Sequence, residues 1–453
     1  MLKKKIGWSK WLTGALTLVC LVYGFSLERW KKNEIIDNDV VSYYAYLPAG
    51  LLFHDLNFGF VKNLPPDFEG KIWVHDSPAG KPVLRMTMGL AFLWIPFFAG
   101  AHLTAHLTGA STLGYSWPYS LSLFVAALFY LFVGLFFVRK ILLRYFPDPI
   151  VSVVLVILVL ATNLMYYVIA EPGFTHVYSF ALISLFVWLS FKWAEKPGIW
   201  NSAGIGFLAG LIVLIRPVNI TVILFPALVG VYSFRDFWER LVKNSRFILL
   251  AAFFAFLVAL PQMIYWKMQT GHFLFNSYME QGKFYFSKPE IINGLFSFRK
   301  GWLIYTPVMA FSIAGLFCFR TIRESILPVI LVLLLNIYLI FSWWCWWYGG
   351  GYGMRTMIDS YGFLAIPLGA VLYRISRIRW AAVGTGILLL LLTAFNQFQT
   401  VQYRSSLLHW DSMTAKAYKA ILFKKHWPPD YLELIEIPDY DKALRGEPEY
   451  NRD

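Results

Sequence analysis

The sequence predicts an all-α polytopic membrane protein with about 11 transmembrane helices. Three observations carry that prediction. The 453 residues are 58% hydrophobic and only 15% charged, whereas a soluble chain carries about 25% charge. Uncharged stretches run from Pro149 to Ala170, Ser325 to Met354 and Trp380 to Tyr403, and each is long enough as a helix to cross about 30 Å of hydrocarbon. The alternating segments of about ten residues that mark a membrane β-barrel do not occur.

The formal charge of +14 resides largely in short loops between apolar runs. That is the distribution the positive-inside rule requires, so the charge marks orientation and no nucleic-acid partner is expected. Cys20, Cys318 and Cys345 lie in or at the edge of apolar runs without C-x-x-C spacing. Neither a zinc site nor a disulfide framework is indicated.

The first segment, 1–27, begins with Lys3, Lys4 and Lys5 and continues as an apolar run. Phe25 to Trp30 follows it where a cleaved signal would need a small-x-small site, so 1–27 reads as a cytoplasmic N-terminus and an uncleaved first span. Twelve apolar runs appear in all: 8–27, 88–108, 117–138, 149–170, 174–194, 201–216, 218–234, 246–266, 302–320, 325–347, 357–373 and 380–398. Basic residues decide which of them cross. Arg139/Lys140/Arg144, Lys192/Lys196, Arg235/Arg240/Lys243/Arg246, Arg320/Arg323 and Arg374/Arg377/Arg379 make 14 Lys and Arg in short loops. All fall on the cytoplasmic side if 88–108 does not cross, and all fall outside if it does. The run 88–108, which contains His102 and His106, is therefore expected to lie on the surface or to be re-entrant. Eleven crossings remain, with the N-terminus inside and the C-terminus outside. The organisation is then a first outer loop at 28–116 with surface-lying helices, a bundle at 117–398 interrupted by an outer loop at 267–301, and an outer tail at 399–453 forming a small cap. No internal repeat at a fixed period is visible, which counts mildly against a transporter.

The chemistry-bearing residues gather on the expected outer face. Asp37 and Asp39 follow the first span and precede an amphipathic run holding Tyr43, Tyr44 and Tyr46. A carboxylate at membrane level can take a proton from an acceptor hydroxyl, while the loop cations Lys81 and Arg85 can stabilise a leaving phosphate. Glu171 and His176 bracket a turn between two spans, where ionisable groups are costly and tend to be functional. With Asp39 they could hold a divalent metal, since such ions accept His and carboxylate ligands. Arg216, before Pro217 and between two apolar runs, is a candidate phosphate ligand or a snorkelling anchor. Arg299 and Lys300 border an aromatic stretch that includes Tyr305 and could either anchor the span or grip a phosphate. The run from Trp343 to Arg355, with Trp347, Tyr348 and a glycine cluster, offers aromatic faces for a sugar and a guanidinium fork for phosphate. Asp359, four residues after Arg355, is expected to orient it through a salt bridge on one helical face.

These pieces resemble polytopic glycosyltransferases of the GT-C class, and in particular bacterial members of the protein mannosyltransferase and aminoarabinose transferase group. The matching residues are Asp39-Val-Val-Ser-Tyr43-Tyr44-Ala-Tyr46-Leu-Pro48, Gly80-Lys81-Pro82, Thr175-His176-Val-Tyr178-Ser-Phe180 and Ile215-Arg216-Pro217. Further on come Arg299-Lys300-Gly301-Trp302 with Tyr305-Thr306-Pro307, and Trp347-Tyr348-Gly349-Gly350-Gly351 with Arg355. The resemblance implies a polyprenyl-phosphate sugar donor, a glycan, lipid or protein acceptor, and transfer at the outer face of a bacterial inner membrane. It also implies an inverting single displacement with an acid of the first outer loop as base. Many relatives have Asp-Glu or Asp-Gly where this chain has Asp39-Val40, and Asp37 is an extra acid, so either aspartate can be the base, with Asp39 favoured. The alternative is a lipid-linked glycan transporter or flippase. That reading calls for polar residues at mid-membrane, of which Asn336 is one.

Overall fold

Each of the twelve apolar runs is helical over part or all of its length. The computed structural model describes residues 7–32, 34–65 and 71–449; Lys3, Lys4 and Lys5 lie outside the described residues. About 67% of the chain is helical, with almost no sheet. Among the described residues, Gly89–Thr108, Trp117–Leu142, Thr175–Glu195, Ser245–Thr270, Arg355–Ser376 and Arg379–Arg404 are long and apolar enough to cross a membrane, and shorter apolar helices accompany them. The chain is an all-α, multi-pass membrane protein.

Helix α1 (Trp8–Ser26) buries Ser9, Thr13, Leu16, Cys20 and Gly24, a stripe at three- and four-residue spacing, and turns Leu18 and Val22 outward. Two short helices follow, α2 (Asp39–Tyr44) and α3 (Tyr46–Leu51). A small antiparallel hairpin pairs His75 with Val83 and Asp76 with Pro82. Next come α4 (Gly89–Thr108) and α5 (Trp117–Leu142). The run 149–170 is broken into α6 (Asp148–Leu160) and α7 (Leu164–Ile169). At the break the Thr162 hydroxyl donates to the Leu158 carbonyl at 2.6 Å and accepts from the Leu164 amide at 3.2 Å, the kind of local polar bonding that competes with a helix.

Helices α8 (Thr175–Glu195) and α9 (Ile199–Ile215) lead into a 3-10 turn, Pro217–Ile223, and the short α10 (Leu224–Leu228). After α11 (Phe234–Lys243), helix α12 (Ser245–Thr270) packs closely against α9. A methyl group at Gly206 would collide with the backbone of Ala251, and one at Gly210 would sit 2.8 Å from the Ala255 carbonyl oxygen. This is the small-xxx-small contact that membrane helices use for close approach. Beyond α13 (Ile291–Phe296) the run 302–320 is interrupted at Pro307, giving α14 (Trp302–Tyr305), a 3-10 turn and α15 (Ala310–Gly315); Pro307 has no N–H to continue a helix. Then come α16 (Ile326–Phe341), α17 (Tyr361–Ser376) and α18 (Arg379–Arg404). The tail adds α19 (Ala415–Ile421), α20 (Tyr431–Leu434) and α21 (Tyr440–Leu444).

In the most apolar 18-residue stretch of each long helix, 89% of residues are buried in the segment ending in α17 and 72% in α8, against 11% in α12 and in α18. The first two form the centre and the latter two the lipid-facing rim. The bundle has two distinct ends. At one, Ser9 of α1 meets Asp148 and Arg139, Arg144 pairs with Glu195 and Glu324, and Arg323 stacks on Tyr232. At the other lies Asp39. Helix α4 starts and finishes beside this second end. Thr87, just before it, donates to the Leu214 carbonyl near the end of α9, and Gly114, just after it, accepts from the Tyr44 hydroxyl of α2.

Candidate functional site

A cavity of about 670 Å³ opens at the Asp39 end. Asp39 begins α2, following Asn38 in a strained left-handed conformation (φ 50°). Val40 packs onto Gly173, where an added Cβ would stand 2.5 Å from the nearer Val40 methyl. One turn further on, Tyr43 lines the cavity with Asp39. Asp39 is the only carboxylate among the described residues that line it, and Arg85, Arg216 and Arg355 line it as well.

The three arginines are held differently. Arg355 lies 3.6 Å from the Asp39 carboxylate, donates to the Tyr348 carbonyl at 2.9 Å and covers the Phe174 ring at 4.6 Å. Arg216 pairs with Asp359 at 2.8 Å and lies over the Tyr348 ring. Asp359 is 1% exposed. It also accepts from the Asn219 side-chain amide at 2.8 Å and meets His176 at 3.0 Å, so the buried charge is fully partnered, the condition under which burial is tolerated. Arg85 stands over Trp73 with its own carbonyl bonded to Ser277. Its Nε, and the indole N–H groups of Trp266 and Trp344, are buried with no hydrogen-bond partner within the protein. All three residues line the cavity, but these N–H atoms are themselves covered; what suits the cavity to an anionic ligand is the set of three lining arginines.

The expected pairing of Arg355 with Asp359 does not form; Asp39 is the partner of Arg355 and Arg216 that of Asp359. The reason is helix type. Arg355–Ser360 is a 3-10 helix, and at three residues per turn positions four apart point to different faces. Nor do Asp39, Glu171 and His176 converge on a metal. His176 is taken by Asp359, and Glu171 accepts from Tyr166 at 2.9 Å in a second cavity, of about 470 Å³, lined also by Arg29, Tyr403 and Arg404. Among the described residues no group of three or more His, Cys, Asp and Glu is placed to hold a metal ion. Burial raises the Glu171 carboxyl above its ordinary range, opposed chiefly by Arg355.

Other sequence candidates sit outside the main cavity. Asp37 is exposed and accepts from the Asn38 amide. Lys81 reaches the Met268 carbonyl. Tyr44 is buried among Trp94, Phe98 and Tyr115, Tyr305 donates to the Phe298 carbonyl, and Trp347 packs between Trp346 and Tyr440. Arg299 and Lys300 are buried. Arg299 donates to the carbonyls of Asp411 and Glu436, and Lys300 to those of Gly351 and Trp410. Together they bind the tail to the glycine-rich loop. Burial, with Arg355 nearby, lowers Lys300 to about 7. Asn336 is satisfied by Thr221 and Ser360 and lines neither cavity.

The cavity also takes residues that sequence reasoning passed over: Trp266, Ser277, Tyr278, Gln281 and, from the tail, Tyr440. Tyr440 donates to Asp411 at 2.8 Å, and Trp346 donates to Glu449 at 2.8 Å, so the tail forms part of the wall. The fold and this site define a multi-pass membrane protein with a carboxylate set among arginines at one end of its bundle. No protein-family model matches the chain, and no curated protein matches it either.

Proposed function

We propose that this chain is an inverting GT-C-like glycosyltransferase that moves a sugar from a polyprenyl-phosphate donor to an acceptor at the outer face of a bacterial inner membrane. One observation carries the reading: a single lining carboxylate, Asp39, stands among three arginines in one cavity. Asp39 takes the proton from an acceptor hydroxyl or amine. The freed lone pair attacks the anomeric carbon from the face opposite the phosphate, a new glycosidic bond forms, and the anomeric C–O bond to phosphate breaks with inversion. The departing phosphate gains negative charge, which the lining cations Arg85, Arg216 and Arg355 would stabilise. Tyr43 and Tyr348 supply aromatic walls for the sugar.

The contacts of Thr87 with the end of α9 and of Gly114 with Tyr44, which bring both flanks of α4 to the same end of the bundle, support reading it as non-crossing and hence eleven crossings. The meeting of Arg139, Arg144 and Arg323 with their partners at the opposite end supports a cytoplasmic assignment for that end under the positive-inside rule. The experiment is transfer in proteoliposomes from a panel of polyprenyl-phosphate sugars, with and without chelator. Asp39→Asn is expected to lower kcat by 10²-fold or more, and Asp37→Asn to leave it near wild type. A folded Asp39→Asn variant with full transfer would remove the proposed base.

A further inference from the structure

The tail carries a feature that the proposed chemistry does not use. From residue 412 to 429 the chain holds Lys416, Lys419, Lys424, Lys425 and His426 and no carboxylate. The turn after α19 is exposed from Leu422 to Trp427, with Phe423 at 71% and Trp427 at 56%. Helix α18 fixes its height. Gln402 donates to the carbonyls of Ile421 and Lys424, both at 2.8 Å, and Gln399 reaches the Tyr418 hydroxyl. Phe423, in a left-handed conformation (φ 58°), sets its ring against Phe395 and Phe398 at centroid distances of 6.0 and 6.3 Å. Phe398 precedes the helix end at Arg404 by an axial distance of about 9 Å. Around this point α18 faces lipid, with Leu391 62% and Val401 52% exposed.

We propose that residues 419–427 are a membrane-surface anchor for anionic phospholipid. Phe423 and Trp427 enter the boundary between acyl chains and headgroups, the depth at which aromatic side chains collect. Lys419, Lys424 and Lys425 meet the phosphates above them, an attraction that grows with each basic residue near an anionic surface. The anchor holds the base of the tail, the same tail that carries Tyr440 to the cavity. The lipid surface is favoured over a protein partner because Phe423 continues the exposed apolar side of α18, Trp427, stacked on Tyr431, stays exposed beside it, and the charged residues from 419 to 427 are all basic, the first acid after them being Asp430.

The test uses the full-length chain with Trp427→Cys labelled by an environment-sensitive fluorophore; Cys20, Cys318 and Cys345 are buried. The protein is reconstituted into vesicles of phosphatidylcholine alone or with phosphatidylglycerol. In the mixed vesicles the label is expected to shift blue, to be quenched by a lipid with a nitroxide near the headgroup, and to be shielded from aqueous iodide. Adding Lys424→Gln and Lys425→Gln raises severalfold the phosphatidylglycerol fraction needed for the half-maximal shift. A label open to iodide and untouched by nitroxide lipid overturns the proposal. So does an equal shift in neutral vesicles, or a shift that disappears on raising the lipid-to-protein ratio, which would mark a second copy as the occupant.

Discussion

Replacing Asp359 by leucine tests whether the cavity is built on a buried ion pair. The carboxylate is 1% exposed, and the Arg216 side chain opposite it 12% exposed, with 2.8 Å between them. Deleting one partner leaves a cation almost out of water, a loss of about 3–5 kcal/mol. The Asn219 amide, which donates to the same carboxylate, loses its acceptor for about 1–3 kcal/mol more. Asp359→Leu is therefore expected to destabilise the protein by at least about 4 kcal/mol. Arg216→Met combined with Asp359→Leu removes both charges, and replacement of a buried pair by apolar groups is close to neutral or stabilising. The double variant should then recover roughly 2 kcal/mol or more relative to Asp359→Leu alone. The assay is denaturant titration in mixed micelles, followed by tryptophan fluorescence, with transfer activity measured alongside. Under the proposed function both variants should lose transfer, since both lose the Arg216 guanidinium that lines the cavity or its support. A double variant as unstable as Asp359→Leu would refute the ion-pair account and point to packing alone.

Gly206→Val forces a branched side chain into the Ala251 backbone and should separate α9 from α12, lowering stability by about 1–3 kcal/mol in the same titration; an unchanged midpoint would mean the two helices do not pack so closely. Lys300 should make stability pH-dependent. Below about 7 it is protonated whether folded or unfolded; from there up to its ordinary value of 10.5 the unfolded chain keeps a proton that the folded chain has released. Stability therefore rises with pH through that window, by up to about 1.4 kcal/mol per pH unit, and Lys300→Met should flatten the slope whatever it does to the absolute value. Arg85→Gln should reduce kcat/KM for a polyprenyl-phosphate donor by about 10²-fold; equal kinetics would exclude Arg85 from phosphate binding.

The helices were legible because hydropathy reports the solvent directly: a chain with uncharged runs of this length has few other ways to satisfy its backbone. Asp39, Arg216 and Arg355 were legible for a related reason. A charge at the margin of an apolar run is conspicuous, and here each proves to be placed at the cavity. The same signal picked out Arg299 and Lys300, yet these two are covered by the tail and bonded to carbonyls. Nothing within the residues 299–300 themselves tells a cation that faces a ligand from one that staples two loops, because the distinction rests on contacts more than a hundred residues away. The pairing of Arg355 failed on a local point, the choice of a 3-10 over an α-helical turn, which spacing alone does not decide. Trp266, Tyr278 and Tyr440 were hidden by abundance. In a chain with 19 Trp and 26 Tyr, aromatic identity carries little information about position.

The wall of the cavity draws on residues from Asp39 to Tyr440, nearly the whole described chain. Contacts of such sequence separation form late, after the costs of loop closure have been met. During synthesis, then, a chain whose helices are only partly inserted presents Asp39 without Arg216, Arg355 or Tyr440 opposite it. Under the proposed function, such an intermediate would neither bind a phosphorylated lipid productively nor divert one into side reactions. Competence and complete assembly would then arrive together, and a truncated or misinserted copy would be silent in the membrane.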